Sequence, residues 1–212
     1  MAQHIVPFYP NTPDNTHCYQ AALKMVLKFF WPEEAYSLDE LDEVTAKVDG
    51  LWTWPIAGLL WLQEKHAEVS MIDAFDFHAF VKDGGQYLLD FYGDEVSSSQ
   101  IAHSDIEQEI SFAQQALKTL SIEKRSARMA DVKALLEDGF LVICNVNANA
   151  PNNKEGYTGH FVVITGFDEN GLYMHDPGLP PRRNRRVSYE HFTSAWAYPD
   201  ETAKWLIAVR KV

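Results

Sequence analysis

Apolar residues recur at helical spacing from Cys18 to Phe30, where Ala21, Ala22, Met25, Val26 and Phe29 share one face. Pro7, Pro10 and Pro13 keep residues 1–16 extended or looped; Asn15 or Thr16 is placed to cap the helix, and Pro32 ends it. A second helix begins at Ser37, where SLDE forms a capping box. A third runs from Pro55 to about His66, with the proline in its first turn. The short strand EVSMI follows. Residues 76–120 read as mainly helical, broken at Gly84, Gly85 and Gly93.

The pattern changes at residue 129. MADVKALLEDG is a helix closed by Gly139. FLVICNVNA is a largely apolar strand, the polar loop NAPNNKEGYTG leads into HFVVITGF, and DENG turns the chain into LYMHD, so the last two strands form a hairpin. SYEHFTSAW is a short helix capped by Ser188, and KWLIAVRKV is a final strand. Helices first and mostly antiparallel strands afterwards predict an α+β fold in one domain, with a helical lobe over about 17–128 and a sheet lobe over about 129–212.

The 212 residues include 46% apolar side chains, enough for a sizeable core without disulfides. A net charge of -12 repels phosphate backbones and argues against a nucleic-acid partner. The largest basic cluster is Arg182, Arg183, Arg185 and Arg186; it reads as a solvated loop or as a local anchor for an acidic group. No run of about 18 apolar residues occurs and no signal-peptide pattern opens the chain, so a cytoplasmic location without a membrane partner is the expectation. The two cysteines, Cys18 and Cys144, are then expected to be free thiols.

Candidate chemistry centres on Cys18. First-turn amides and the helix dipole favour a thiolate at that position, although a small buried hydrophobe can occupy it equally well. His160 stands at the mouth of the apolar strand FVVITGF, and Asp176 ends the following strand. Counting outward from DENG puts His160 beside Asp176 or just past it. The carboxylate can then accept the Nδ1 proton and leave Nε2 for Cys18. The alternative is an edge histidine with ordinary partners and a turn-forming Asp-Pro. Cys144, inside FLVICNV, reads as core; His17 reads as a solvated or capping residue; His175 faces the other side of its strand from Asp176. No CxxC or HExxH spacing exists, so no metal or other cofactor is expected. Trp52 and Trp54 read as core or lobe contacts, or as an aromatic wall of a substrate-binding cleft.

Four stretches together resemble the papain-like cysteine peptidase superfamily, and within it the stand-alone relatives of bacteriocin-leader (double-glycine) peptidases. They are CYQAALKMVL, FLVICNV, GHFVVITGF and LYMHDPG. In papain-type enzymes the histidine falls about 130–150 residues after the cysteine, which is the separation of Cys18 and His160. The resemblance implies a nucleophile helix packed on an antiparallel sheet and a Cys18–His160–Asp176 triad. Two features depart from the family pattern. Tyr19 and Gln20 follow the cysteine in place of glycine or Gly-Pro, and Thr12 stands where the family has a glutamine that helps form the oxyanion hole. Asn11 and Asn15 are the nearest neutral donors, with Asn11 preferred because Asn15 is expected to cap the helix.

These readings converge on a thiol hydrolase or acyltransferase acting on an amide, with a peptide as the expected substrate and deamidation as a variant. A papain-like binding module without turnover is the alternative. The oligomeric state is not legible in the sequence.

Overall fold

The computed structural model describes residues 2–149 and 155–212, so residues 150–154 of the polar loop NAPNNKEGYTG lie outside the described residues. In chain order the elements are β1 (Ala2–Gln3), α1 (Cys18–Phe30), α2 (Leu38–Val44), α3 (Ile56–Glu64), β2 (Ala67–Asp73), α4 (Phe77–Asp83), α5 (Gly85–Ala102), α6 (Ile106–Thr119) and β3 (Ser121–Lys124). They continue as α7 (Met129–Glu137), β4 (Leu141–Asn147), β5 (Gly159–Phe167), β6 (Gly171–Asp176), β7 (Arg182–Ser188), α8 (Tyr189–Trp196) and β8 (Leu206–Lys211). The fold is α+β, as the sequence predicts.

Local chemistry accounts for most boundaries. Ser37 Oγ accepts from Glu40 N, and Glu40 Oε2 accepts from Ser37 N, which closes the expected capping box of α2. Ser188 Oγ accepts from His191 N at the start of α8. Gly139, at φ +85°, follows α7 in the left-handed conformation that a glycine tolerates without strain. The start of α1 differs from expectation. Its cap position is His17, with no side-chain cap, and Asn15 lies outside the helix at φ +62°.

One sheet runs in the order β3-β2-β8-β4-β5-β6-β7, with β1 pairing the end of β5. All pairs are antiparallel except β2 with β3. The sheet is not confined to the C-terminal stretch, because β2, which contains the expected strand EVSMI, and β3 join it from within residues 17–128. The arginine cluster is also not a loop: it forms β7, an edge strand whose backbone pairs with β6 while most of its side chains stay exposed.

Strands β4, β5 and β8 are buried on both faces, which explains their nearly unbroken apolar runs. Phe161, Val163, Ile143 and Ile207 point into a core built with α1, α3 and the α4–α6 helices. Val162, Ile164, Cys144 and Leu206 point into a second core closed by α7 and α8. Helix α1 lies against β5, with Ala22, Leu23, Met25 and Val26 wholly enclosed. The first residue of α1 is thereby held near the open end of β5.

Candidate active site

Cys18 is the first residue of α1 and is half-buried. Burial pushes its thiol up, but a hydrogen bond and charge from His160, together with the Phe161 and Tyr19 backbone amides, outweigh burial and hold it below the ordinary value. His160, 7% exposed, is the second residue of β5. Burial alone would lower its pKa; Asp176 and Cys18 raise it to about 10.

The hairpin register brings Asp176 to this ring. Val163 pairs with His175, and continuing that antiparallel register sets His160 opposite Gly178, two residues past Asp176 on the same face. His160 Nε2 donates to Asp176 Oδ1 at 2.8 Å. The geometry reverses the expected ring assignment: Nε2 meets the carboxylate, and Nδ1 is the nitrogen left for the thiol. Asp176 Oδ1 also accepts from Gly178 N at 3.0 Å, and Oδ2 accepts from Arg185 Nη1 at 3.1 Å. Burial raises the Asp176 pKa, but His160, Gly178 and Arg185 together hold it below the usual carboxylate range. Gly178 packs so closely that a Cβ there would lie 3.0 Å from Asp176 Oδ1 and 3.1 Å from His160 Nε2.

Asn11 and Asn15 divide their labour. Asn11 is buried, and its Oδ1 accepts from the backbone amides of Thr12 and His17, each at 2.8 Å. These two amides fix which way its side chain points. Its Nδ2 therefore turns to Asn15 Oδ1, at 2.9 Å. Asn15 is exposed, lines the same cavity as Cys18, and presents an Nδ2 with no partner among the described residues. Asn11 thus ties the loop through both ends of its amide, and Asn15 Nδ2 meets no partner among the described residues. Thr12 is also committed within the loop, to Asn11, Asp14 and His17.

A cavity of about 360 Å³ opens beside Cys18 and His160, lined also by Trp52, Trp54, Tyr157 and Trp205. Both tryptophans singled out in the sequence thus form part of its wall. Trp52 stacks on His103 with ring centroids 4.8 Å apart, and Trp54 stacks on Phe80 at 5.4 Å. His175 does not face the site; it bonds Val6 O and Asn184 N. Cys144 is enclosed in the core, and burial pushes its thiol up. His17 pairs with Asp42 at 3.1 Å and so ties the site loop to α2. Among the described residues no group of three or more metal-ligating side chains comes together.

Residues 3–203 match the Peptidase_C39 like family. The chain belongs to that family. The C39-like fold is seen also in the peptidase domain of Streptococcus ComA, a bi-functional ABC transporter involved in a quorum-sensing pathway. That domain is 16% identical, with a TM-score of 0.53 over 97% of this chain and 98% of that one. A C39-like peptidase from Bacillus anthracis is likewise 16% identical, with a TM-score of 0.51 over 100% and 98%. Uncharacterized proteins of Mycobacterium tuberculosis and Mycobacterium bovis are 35% identical over 80 residues, 32% of this chain and 34% of theirs. The chain thus spans about a third of the length of those curated relatives. Membership of the C39-like family makes this chain a relative of the papain-like cysteine peptidases.

The departures from the C39 pattern have local explanations. Tyr19 fills the space beside α3, where its Oη donates to Pro55 O at 3.0 Å. Gln20 Nε2 donates to Thr45 Oγ1 and Thr53 Oγ1, at 2.9 and 3.0 Å. Residues that follow the cysteine thus fasten α1 to α2 and α3. Sequence reasoning missed Arg185 as a partner of Asp176, and Tyr157 and Gln100 as cavity residues bonded to each other at 3.2 Å. RRNRRVS carries no apolar–polar alternation, so no sequence signal marks the strand that delivers Arg185.

Among the described residues, no helix is long and apolar enough to cross a membrane.

Proposed function

We propose that the protein is a thiol hydrolase or acyltransferase that opens an amide bond, of a peptide in the first instance, through an acyl-enzyme on Cys18. The observation that carries this reading is the fixed order of contacts: Asp176 holds Nε2 of His160, and His160 in turn meets the thiol of Cys18 at the start of α1. The Cys18 thiolate attacks the carbonyl carbon, and negative charge moves to the carbonyl oxygen. The Nδ2 of Asn15 and an amide of the first turn of α1 stand ready for that charge. The imidazolium of His160 then gives its Nδ1 proton to the departing amine, and a thioester remains on Cys18. Neutral His160 takes a proton from water, or from an acceptor amine, as that molecule attacks the thioester. The acid or the new amide leaves, and the thiolate returns. When the substrate amide is a glutamine side chain, the same sequence releases ammonia. The His160–Asp176 hydrogen bond keeps the ring angle constant through both halves.

The test is incubation with a peptide library, followed by intact-mass measurement of rapidly quenched enzyme. Cleaved peptides and a transient mass gain equal to the acyl fragment are expected, and both vanish in Cys18→Ala. Peptide binding without cleavage or adduct, in protein whose Cys18 alkylates slowly, would instead establish a binding module.

A further inference from the structure

We propose that the buried end of the cavity is a cation subsite, where Asp73 takes the ammonium of a lysine-type side chain of the substrate while Trp54, Phe75 and Tyr92 enclose its alkyl stem. The placement relative to Cys18 rests on the amide-opening reading above; binding of the cation does not.

Asp73 ends β2 and is 4% exposed, yet it lines the same cavity as Cys18. Its Oδ1 accepts from Phe75 N at 2.9 Å, and its main-chain O accepts from Arg125 N at 3.1 Å, so the residue is rigidly mounted. Its Oδ2 has no partner among the described residues. The ionisable groups that feel its charge are Tyr87 and Tyr92, not a cation. The turn at Phe75 needs only a neutral acceptor, which an asparagine would supply equally well. The charge itself therefore has no use in the fold, and an unpaired buried carboxylate is costly to keep. Burial accordingly pushes Asp73 up to about 7.

The surroundings select the kind of cation. Phe75 is set edge-on to Phe77 and Tyr87, with centroids 4.9 and 4.8 Å apart, and lies 6.1 Å from Tyr92. Such rings pack along an alkyl chain and favour a cation near their faces. A guanidinium binds best to both oxygens of a carboxylate, but Oδ1 is already engaged. One free oxygen suits a compact ammonium. Tyr92 and Tyr157 line the same cavity as Asp73 and Cys18. A lysine a short way from the scissile amide would thread that aromatic passage.

The test is calorimetric titration of the whole protein with N-acetyl-lysine amide and N-acetyl-norleucine amide, which differ by the ammonium. Wild-type protein is expected to bind the lysine probe about tenfold or more tighter. Asp73→Asn, which keeps the Phe75 turn, should lose that preference while melting at no lower a temperature than wild type. Equal binding of the two probes, or a preference that survives in a folded Asp73→Asn, overturns the proposal. A variant that does not fold leaves a direct reading on wild type. With ¹³C-labelled aspartate at pH 6, saturating lysine probe should move the Asp73 carboxyl resonance to its ionised position, and an unmoved resonance overturns the proposal as well. A lysine preference with no turnover would defeat the amide-opening reading alone, whereas peptide turnover with no lysine preference would defeat the subsite alone.

Discussion

Nε2 of His160 donates to Asp176 Oδ1 at 2.8 Å, so the ring addresses Cys18 through Nδ1. This contact does two things at once. It sets the ring angle, and it supplies the negative charge that lets a buried imidazole stay protonated. The second effect reaches Cys18, because a protonated ring stabilises a thiolate beside it.

The first prediction concerns pH. Cys18 titrates below an ordinary thiol, which lies at about 8.5, and His160 loses its proton only near about 10. Between those two points the site holds a thiolate and an imidazolium. Alkylation by iodoacetamide should therefore stay fast to lower pH than that of a free cysteine and decline only below the depressed value of Cys18. His160→Ala removes the charge, and its labelling rate should fall with pH as a free cysteine's does. Cys144, buried with its thiol pushed up, should remain unlabelled in the folded protein. A wild-type profile that overlays that of His160→Ala would sink the ion pair.

A ranking follows from the roles. Cys18→Ala removes the atom that forms the bond and should eliminate turnover. Asp176→Ala removes only the group that orients and charges His160, with an expected loss of roughly a hundred- to ten-thousandfold. Asp176→Asn should lie between Asp176→Ala and wild type, since its carbonyl oxygen can still accept from His160 Nε2 and Gly178 N. Steady-state rates with circular dichroism as the folding control decide this. Equal losses for Cys18→Ala and Asp176→Ala contradict it.

Gly178 provides a purely steric probe. A methyl group at this position must displace the His160–Asp176 pair, because both contacts would be near 3 Å. Gly178→Ala is expected to lower kcat by about tenfold or more, since misplacement on the ångström scale is costly for positioned groups. Its melting temperature should change little, because residue 178 lies in a half-exposed turn. Unchanged kcat and unchanged Cys18 alkylation would mean that the pair tolerates the shift.

The parts of this arrangement that the sequence announces are those with local causes. Helix α1 is legible because its apolar stripe and flanking prolines are contiguous, and the His160–Asp176 meeting is legible because a short turn sets the register between neighbouring strands. Pairings between distant segments leave no such trace. Strand β2 reaches β8, and β3 reaches β2, across long stretches of chain, and nothing in EVSMI or SIEK specifies the partner. RRNRR hides an edge strand, because backbone pairing with β6 holds it while all its arginines but Arg185 are exposed. Which of Asn11 and Asn15 keeps an unpaired N–H beside the cavity is not legible in the sequence for another reason. It depends on which amide receives the Thr12 and His17 backbone N–H groups, a matter of loop geometry and not of residue type.

That loop yields the last prediction. Negative charge on the carbonyl oxygen needs a donor already in place, and Asn15 Nδ2 is the free one beside Cys18. Asn15 sits at φ +62°, where alanine is strained but glycine is not. Asn15→Gly is therefore the cleaner deletion, and it should lower turnover by roughly a hundredfold or more with the fold intact. Asn11 acts one step back. Its Oδ1 receives two backbone amides, so Asn11→Ala should cost about 1–3 kcal/mol of stability by leaving those donors unmet. Asn11→Asp separates the two roles. A carboxylate still accepts from Thr12 and His17, but it offers no N–H to Asn15 Oδ1. Asn15 should then turn its own Nδ2 toward residue 11 and withdraw the donor from the cavity. The expected result is a folded Asn11→Asp with turnover as poor as that of Asn15→Gly, and a double variant no worse than either. Additive losses in the double variant, or full turnover in Asn15→Gly, would assign the donor elsewhere.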